Sequence, residues 1–166
     1  MEKKMEQIAH YKEVMGNYPT GVTVVTALDE NGEPMGMTVN SFASVSLDPL
    51  LVLWSIDKGA HLYEQFLKAD QFAVNILADD QRELCSLFAS RTPDRFGQCK
   101  WEKSELNLPV LEDSLAVLQC KTFKQVEAGD HVILIGEVVE IEKADKAPLL
   151  YHKRTMGAIP TSFYQA

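Results

Sequence analysis

Residues 131–142 constrain the fold more than any other stretch of the chain. In an extended backbone Ile133, Ile135, Val139 and Ile141 fall on one face, and Val132, Leu134 and Val138 on the other. A strand with one wetted face alternates apolar with polar residues, so this pattern predicts a strand covered on both sides. Residues 115–126 have the same extended character, and Glu127-Ala128-Gly129-Asp130 between them reads as the turn of a long hairpin. In a small barrel the inner face of such a strand fills the core. The outer face then calls for a helix or a second copy of the chain, and a homodimer is expected on that ground.

Upstream, residues 22–28 are rich in Val and Thr and run into Asp29-Glu30-Asn31-Gly32, whose Asn-Gly pair signals a hairpin returning through residues 35–40. Residues 44–47 read as a short extended piece, 50–56 as a fully buried strand and 72–77 as another. Helical spacing of Met5, Ile8, Met15 and Tyr18 predicts an amphipathic helix ended by residues 16–19. Two short helices are expected at 60–68 and at 80–89, the latter capped by Asp79 and sharing Leu84, Leu87 and Phe88 on one face. Residues 90–113, with Pro93, Gly97, Trp101 and Pro109, read as loop-rich. Many strands with few β-α-β alternations predict a mainly β protein, an antiparallel barrel with peripheral helices rather than a doubly wound parallel sheet.

Composition narrows the function classes. A chain of 166 residues fits one domain, and 16 basic against 24 acidic residues leave a net charge of −8. Proteins that coat nucleic-acid phosphates need a basic face, so no nucleic-acid partner is expected. Cys85, Cys99 and Cys120 are odd in number and form no C-x-x-C, which argues against a disulfide framework or a structural zinc. Cys85, between Leu84 and Leu87, reads as a small buried hydrophobe. No apolar run approaches the ~18–20 residues of a membrane-spanning helix, and the N-terminal residues are charged without an apolar leader core. A cytoplasmic protein without membrane contact is expected.

The sequence lacks G-x-G-x-x-G, G-x-x-x-x-G-K-[ST], H-E-x-x-H and G-x-S-x-G, and His10, His61, His131 and His152 have no ligand spacing, so no metal is expected. Two segments stand out. Thr38-Val39-Asn40-Ser41-Phe42-Ala43-Ser44-Val45-Ser46 packs hydroxyls and an amide just before a buried strand, offering the short donors and close backbone approach that a phosphorylated, ring-containing ligand requires. A solvated strand-loop-strand presents the same residue types. Gly129-Asp130-His131 sets a histidine at the mouth of a barrel strand, where it can donate a hydrogen bond, act as an acid near neutral pH, or simply be solvated.

Taken in order, Thr20-Gly21-Val22-Thr23-Val24-Val25-Thr26, Gly36-Met37-Thr38-Val39-Asn40-Ser41-Phe42, Ser44-Val45-Ser46-Leu47-Asp48-Pro49, Phe72-Ala73-Val74-Asn75-Ile76-Leu77, and Gly129-Asp130-His131 with Gly136-Glu137-Val138 resemble the flavin reductase-like family. The resemblance covers residues 11–151, and each motif gains its weight from standing in register with the others. It implies an FMN-binding split β-barrel of Greek-key type, one domain over residues 1–166, in a homodimer. The activity it implies is hydride transfer from NADH or NADPH to FMN or FAD, often supplying reduced flavin to a separate monooxygenase. A non-catalytic flavin-binding electron carrier and a heme-binding split barrel, using His10, His61 or His152, are the alternatives.

By the same resemblance Thr38, Val39, Asn40 and Ser41 would lie against the isoalloxazine and ribityl chain, with Ser44 and Ser46 continuing that wall. Ser55 and Lys58 would approach the ribityl–phosphate end. Phe88 would pack near the flavin or its adenine extension. His131, the expected catalytic residue, would sit by the ring where nicotinamide stacks. Ala60, His61 and Leu62 stand where many relatives carry serine and threonine, so phosphate contact would fall to Lys58, His61, backbone N–H groups around Ala60, or Arg91. Two further departures are Leu50 after Asp48-Pro49 and Met156 where a tyrosine is common. With no room expected for a separate nicotinamide domain, both nucleotides would share one site.

Overall fold

The computed structural model describes residues 1–165. Its strands are Thr20–Gly21 (β1), Thr23–Leu28 (β2), Pro34–Val39 (β3), Ala43–Leu47 (β4), Leu50–Asp57 (β5), Gln71–Ile76 (β6), Trp101–Lys103 (β7), Pro109–Leu111 (β8), Ala116–Ala128 (β9), His131–Lys143 (β10), Leu149–His152 (β11) and Thr155–Ala158 (β12). The helices are Glu2–Asn17 (α1), Tyr63–Lys68 (α2) and Arg82–Ala89 (α3), with short 3₁₀ turns at Phe96–Gln98 and Thr161–Tyr164.

The protein is mainly β, as its sequence pattern predicts. Seven antiparallel strands pair in the order β3-β2-β6-β9-β10-β5-β4. Val39 and Val25 from one end of this sheet share a core cluster with Val52 and Trp54 near the other end, so the sheet curls around a common interior. Trp54 packs edge-on against Phe66 of α2 at 5.1 Å and Phe72 of β6 at 6.0 Å. Such pairs add about 0.5–1.5 kcal/mol beyond their buried area. The sheet's two end strands, β3 and β4, are joined in sequence but not by a backbone ladder, which leaves a split between them.

Local chemistry explains the hairpins. The Asp29 carboxylate accepts from the N–H of Asn31 at 2.8 Å and of Glu33 at 2.9 Å, while Gly32 takes φ +76° to reverse the chain into β3. In the long hairpin His131 pairs with Ala128, and the register shifts beside Gly136. A Cβ at Gly136 would collide with the Phe72 ring and lie 2.9 Å from the Cys120 Cβ, so the strands approach closely there only because the side chain is absent.

Four expectations need correction. β5 is not buried throughout: Val52, Trp54 and Ile56 point inward, while Leu50 is exposed. The third helix begins at Arg82 and not at Asp80, and Asp79 does not cap it. Ala78 bridges Pro148 and the Asp79 N–H donates to the Ala147 carbonyl, so these residues are held extended by the segment that leads into β11. The expected helix at 60–68 starts only at Tyr63, after a turn in which the Ala60 N–H reaches the Asp57 carbonyl. The stretch 90–113 is more than loop, because β7 and β8 form a hairpin whose second strand, Pro109–Leu111, is wholly buried. Helix α1 forms as expected but buries none of its residues within the chain.

Candidate functional site

The split between β3 and β4 is bridged by residues 40–42, and Ser41 is the joint. Its hydroxyl donates to the Ser55 carbonyl at 3.2 Å and accepts from the Ser55 N–H at 3.0 Å, tying the connection to β5. Ser55 faces Ile133 across the ladder, and two residues further His131 faces Asp57. The Lys58 N–H donates to the Asp130 carbonyl at 2.9 Å, and its ammonium lies 3.7 Å from the Glu127 carboxylate. Ser41, Ser55, Lys58 and His131 thus gather along one side of the β5–β10 ladder.

His131 is half-exposed, with its Nδ1 2.7 Å from the Asp130 carboxylate. The hydrogen bond from His131, then its charge, hold the Asp130 carboxyl below the usual carboxylate range. With Nδ1–H directed at Asp130, Nε2 is the ring atom that can take or give a proton.

Four of the other expected residues line a groove of about 1010 Å³ beside this cluster. Its walls are residues 34–37 of β3, the turn 59–62 and the segment 88–96 following α3, and it collects Ala60, His61, Phe88 and Arg91. Residues 59 and 60 run directly from Lys58 into this groove, so chain continuity joins the two groups. Arg91 and His61 have no carboxylate within 4.0 Å among the described residues. The groove also carries three carboxylates: Asp29 accepts from its own turn, Asp94 accepts from the Gly97 N–H at 3.1 Å, and Glu33 stands at the β3 wall.

Several expected residues are committed elsewhere. Thr38 donates its hydroxyl to the Cys85 carbonyl at 2.7 Å, fastening β3 to α3. Val39 is 5% exposed, its side chain belongs to the core and its carbonyl accepts from the Thr23 hydroxyl at 2.8 Å, so neither is free to meet a ligand. Phe88 is 2% exposed, wedged over Gly36 and edge-on to Phe96, and forms wall rather than stacking platform. Ser46 accepts from the Asp48 N–H at 3.2 Å, while Asn40 and Ser44 are exposed. His10, His61 and His152 are exposed on separate elements, so they do not meet as a ligand set. Sequence reading missed Met35, Met37 and Arg95, which also line the groove. The two methionines alternate along β3 with the buried Gly36 contact, but no motif marks them. A second groove, of about 820 Å³, runs along the outer face of α3 and holds none of the expected residues.

The donors present fit a flavin nucleotide. A guanidinium without an ion pair, as at Arg91, suits a phosphate, and short hydroxyls with unpaired lone pairs suit a ribityl chain. Comparison with known proteins agrees. A model of the flavin reductase like domain matches residues 15–160. The reductase component of a flavin-dependent trigonelline monooxygenase from Acinetobacter baylyi is 44% identical over 149 residues, 90% of this chain and 48% of that protein. FMN reductase (NADH) SmoA of Agrobacterium fabrum is 41% identical over 92% of this chain and 86% of its own. A solved structure of the Streptomyces globisporus NADH:FAD oxidoreductase SgcE6, in complex with NAD and FAD fragments, superposes with a TM-score of 0.88 at 33% identity, covering 93% of this chain and 94% of that one. This chain spans about half the length of some relatives, 48% of the Acinetobacter protein and 43% of a probable flavin reductase from Rhizobium meliloti. With a family model over most of its length, and fold and sequence likeness together, the chain belongs to the flavin reductase like domain family.

Proposed function

We propose that this chain is an NAD(P)H-dependent flavin reductase, passing a hydride from nicotinamide to FMN or FAD and releasing reduced flavin to a separate monooxygenase. The observation that carries this reading is the pairing of two unlike environments. A groove holding Arg91, which makes no ion pair among the described residues, and the exposed ring of His61 opens beside a hydroxyl-rich joint at Ser41 and Ser55. One suits a phosphate and the other a ribityl chain and ring edge.

Flavin, when bound, supplies the acceptor for the hydride. The protein's own residues bind and orient. Asn40, Ser41 and Ser55 would line the ring and ribityl chain. Lys58, His61 and Arg91 would hold the phosphate, since the N–H groups of Lys58, Gly59 and Ala60 are spent on Asp130 and Asp57. His131, held by Asp130, would carry a proton at Nε2 close to where nicotinamide lies. Activity should appear as oxidation of NADH or NADPH on addition of FMN, FAD or riboflavin. No oxidation with either pyridine nucleotide would remove the reductase reading, and an absorption band near ~450 nm without turnover would leave a flavin carrier in its place. A Soret band would turn the assignment to heme.

The same reading includes one split-barrel unit serving both nucleotides, acting in the cytoplasm as a homodimer. Among the described residues no helix is long and apolar enough to cross a membrane. Dimerisation is supported by the uncovered outer face of β5 and β10 and by α1, whose Met5, Ile8, Tyr11 and Met15 all face outward. Light scattering at micromolar concentration should return twice the chain mass, and a clean monomer would remove this part.

A further inference from the structure

Arg95 lies outside every motif that marks the family resemblance, yet it organises the rim of the groove. Helix α3 ends at Ala89, leaving carbonyls that its own turns cannot satisfy. Arg95 supplies the partner. One guanidinium nitrogen, Nη1, donates to the Phe88 carbonyl at 3.2 Å and to the Ser90 carbonyl at 3.4 Å. The guanidinium carbon stands 5.5 Å from the centre of the Phe88 ring, so the cation also stacks on the side chain whose backbone it holds. A cation at a helix C-terminus is favoured by the helix dipole as well.

The consequence falls on Arg91. The Ser90 carbonyl belongs to the peptide group that precedes Arg91, and Arg95 holds it. The peptide group that follows Arg91 is held through its Thr92 N–H, which donates to the Ser90 hydroxyl at 3.2 Å. That hydroxyl is itself fixed by donating to the Leu87 carbonyl at 2.7 Å. Both peptides flanking Arg91 are therefore clamped, while its own side chain is exposed on the groove and free of carboxylates among the described residues. Arg95 makes no ion pair either, although partial burial lowers its pKa. Its interactions are with backbone carbonyls and an aromatic ring, which is the pattern of a structural clamp.

We propose that Arg95 is a positioning residue for Arg91, fixing the loop so that Arg91 meets the phosphate of a flavin nucleotide with its entropy already reduced. This rests on the reading of the groove as the phosphate end of a flavin site. The benefit is preorganisation, which strengthens a charge-assisted contact without adding one.

Equilibrium binding, followed by quenching of flavin fluorescence in the full chain, tests the idea with FMN and with riboflavin, which lacks the phosphate. R91A should weaken FMN binding about tenfold and leave riboflavin within about twofold. R95A should weaken FMN about fivefold, again sparing riboflavin, and kcat at saturating flavin should stay within about twofold. The double variant R91A/R95A should be no weaker than R91A alone, because Arg95 acts through Arg91. R95K, which keeps the charge and loses the planar fork, should fall between wild type and R95A and carries the test should R95A fold poorly. Multiplicative losses in the double variant would overturn the proposal by making Arg95 a direct ligand. Equal weakening of riboflavin by R95A or R95K would overturn it in favour of packing alone. An R91A protein that binds FMN like wild type would overturn it together with the phosphate assignment of the groove. Wild-type protein that binds FMN but oxidises neither NADH nor NADPH would sink only the reductase reading, since the binding cycle does not depend on turnover.

Discussion

Two flanks of the barrel carry the same apolar pattern and treat it differently. On the β2–β6 flank the outward residues Val22, Val24, Thr26, Ala73 and Asn75 are all buried. Helix α3 lies over β2 and β3, and β8 lies over β2 and β6. On the β5–β10 flank the outward Leu53, Ile133 and Ile135 are only half-buried, Ile141 is 57% exposed and Leu47 on β4 is 89% exposed. The covered flank is clasped by polar groups. Asn75 donates to the Val24 carbonyl and to the Thr26 hydroxyl and accepts from the Leu111 N–H at 2.9 Å, and Thr26 donates to the Pro109 carbonyl. The open flank has no such clasp. Intrachain cover is thus specified by a few buried hydrogen bonds, whereas a face left for a second copy stays apolar and plain.

The largest effect should come from breaking the clasp. Asn75→Ala strands the buried Leu111 N–H and removes the donor to the Val24 carbonyl and the Thr26 hydroxyl, and should cost about 2–4 kcal/mol. A lower denaturation midpoint with an unchanged slope would report it, and a midpoint within error of wild type would remove the clasp argument. Next comes the seam between the flanks. Gly136→Ala forces a methyl group against Phe72 and Cys120 and should cost about 1–3 kcal/mol in the same assay.

On the open flank the expectation reverses. Ile135→Lys should leave the subunit's stability within about 1 kcal/mol yet weaken dimerisation at least about tenfold, read by sedimentation at several concentrations. Loss of folding without dissociation would contradict the proposed role of this face. The smallest effect belongs to Asp130, which is fully exposed. Its folded-state pKa is lowered, so its contribution is present above the ordinary carboxylate pKa and is lost as pH falls through the folded value. Asp130→Asn should therefore melt slightly below wild type near neutrality, with the difference shrinking as pH falls below the ordinary carboxylate range. A difference that persists in acid would contradict the pairing.

Legibility followed the range of the interactions. The β2–β3 and β9–β10 hairpins could be read because their turns are local: Asp29 satisfies Asn31 and Glu33 without help from elsewhere. β1, β7, β8, β11 and β12 could not, since they are two to four residues long and form only where distant strands meet them, as Thr20 meets Tyr151. The candidate site divides in the same way. Ser41 and His131 lie in motifs that the chain displays openly, but nothing local distinguishes Thr38, spent on Cys85, from Ser41, spent on closing the split. Arg95 carries no motif at all, because its partners Phe88 and Ser90 come into view only once the loop has turned back on the helix.

What the sequence determined by itself was the antiparallel barrel and its two long hairpin strands, which depend on periodicity and on turn residues acting over a few positions, and, through the resemblance of motifs standing in order along the chain, the family. What only the tertiary structure decided was which apolar faces find cover, which polar groups are consumed in holding that cover, and which remain free at the groove. Those outcomes depend on burial and on hydrogen-bond partners far apart in the chain, such as Asn75 with Leu111. A local pattern can demand that a face be covered, but it cannot name what covers it.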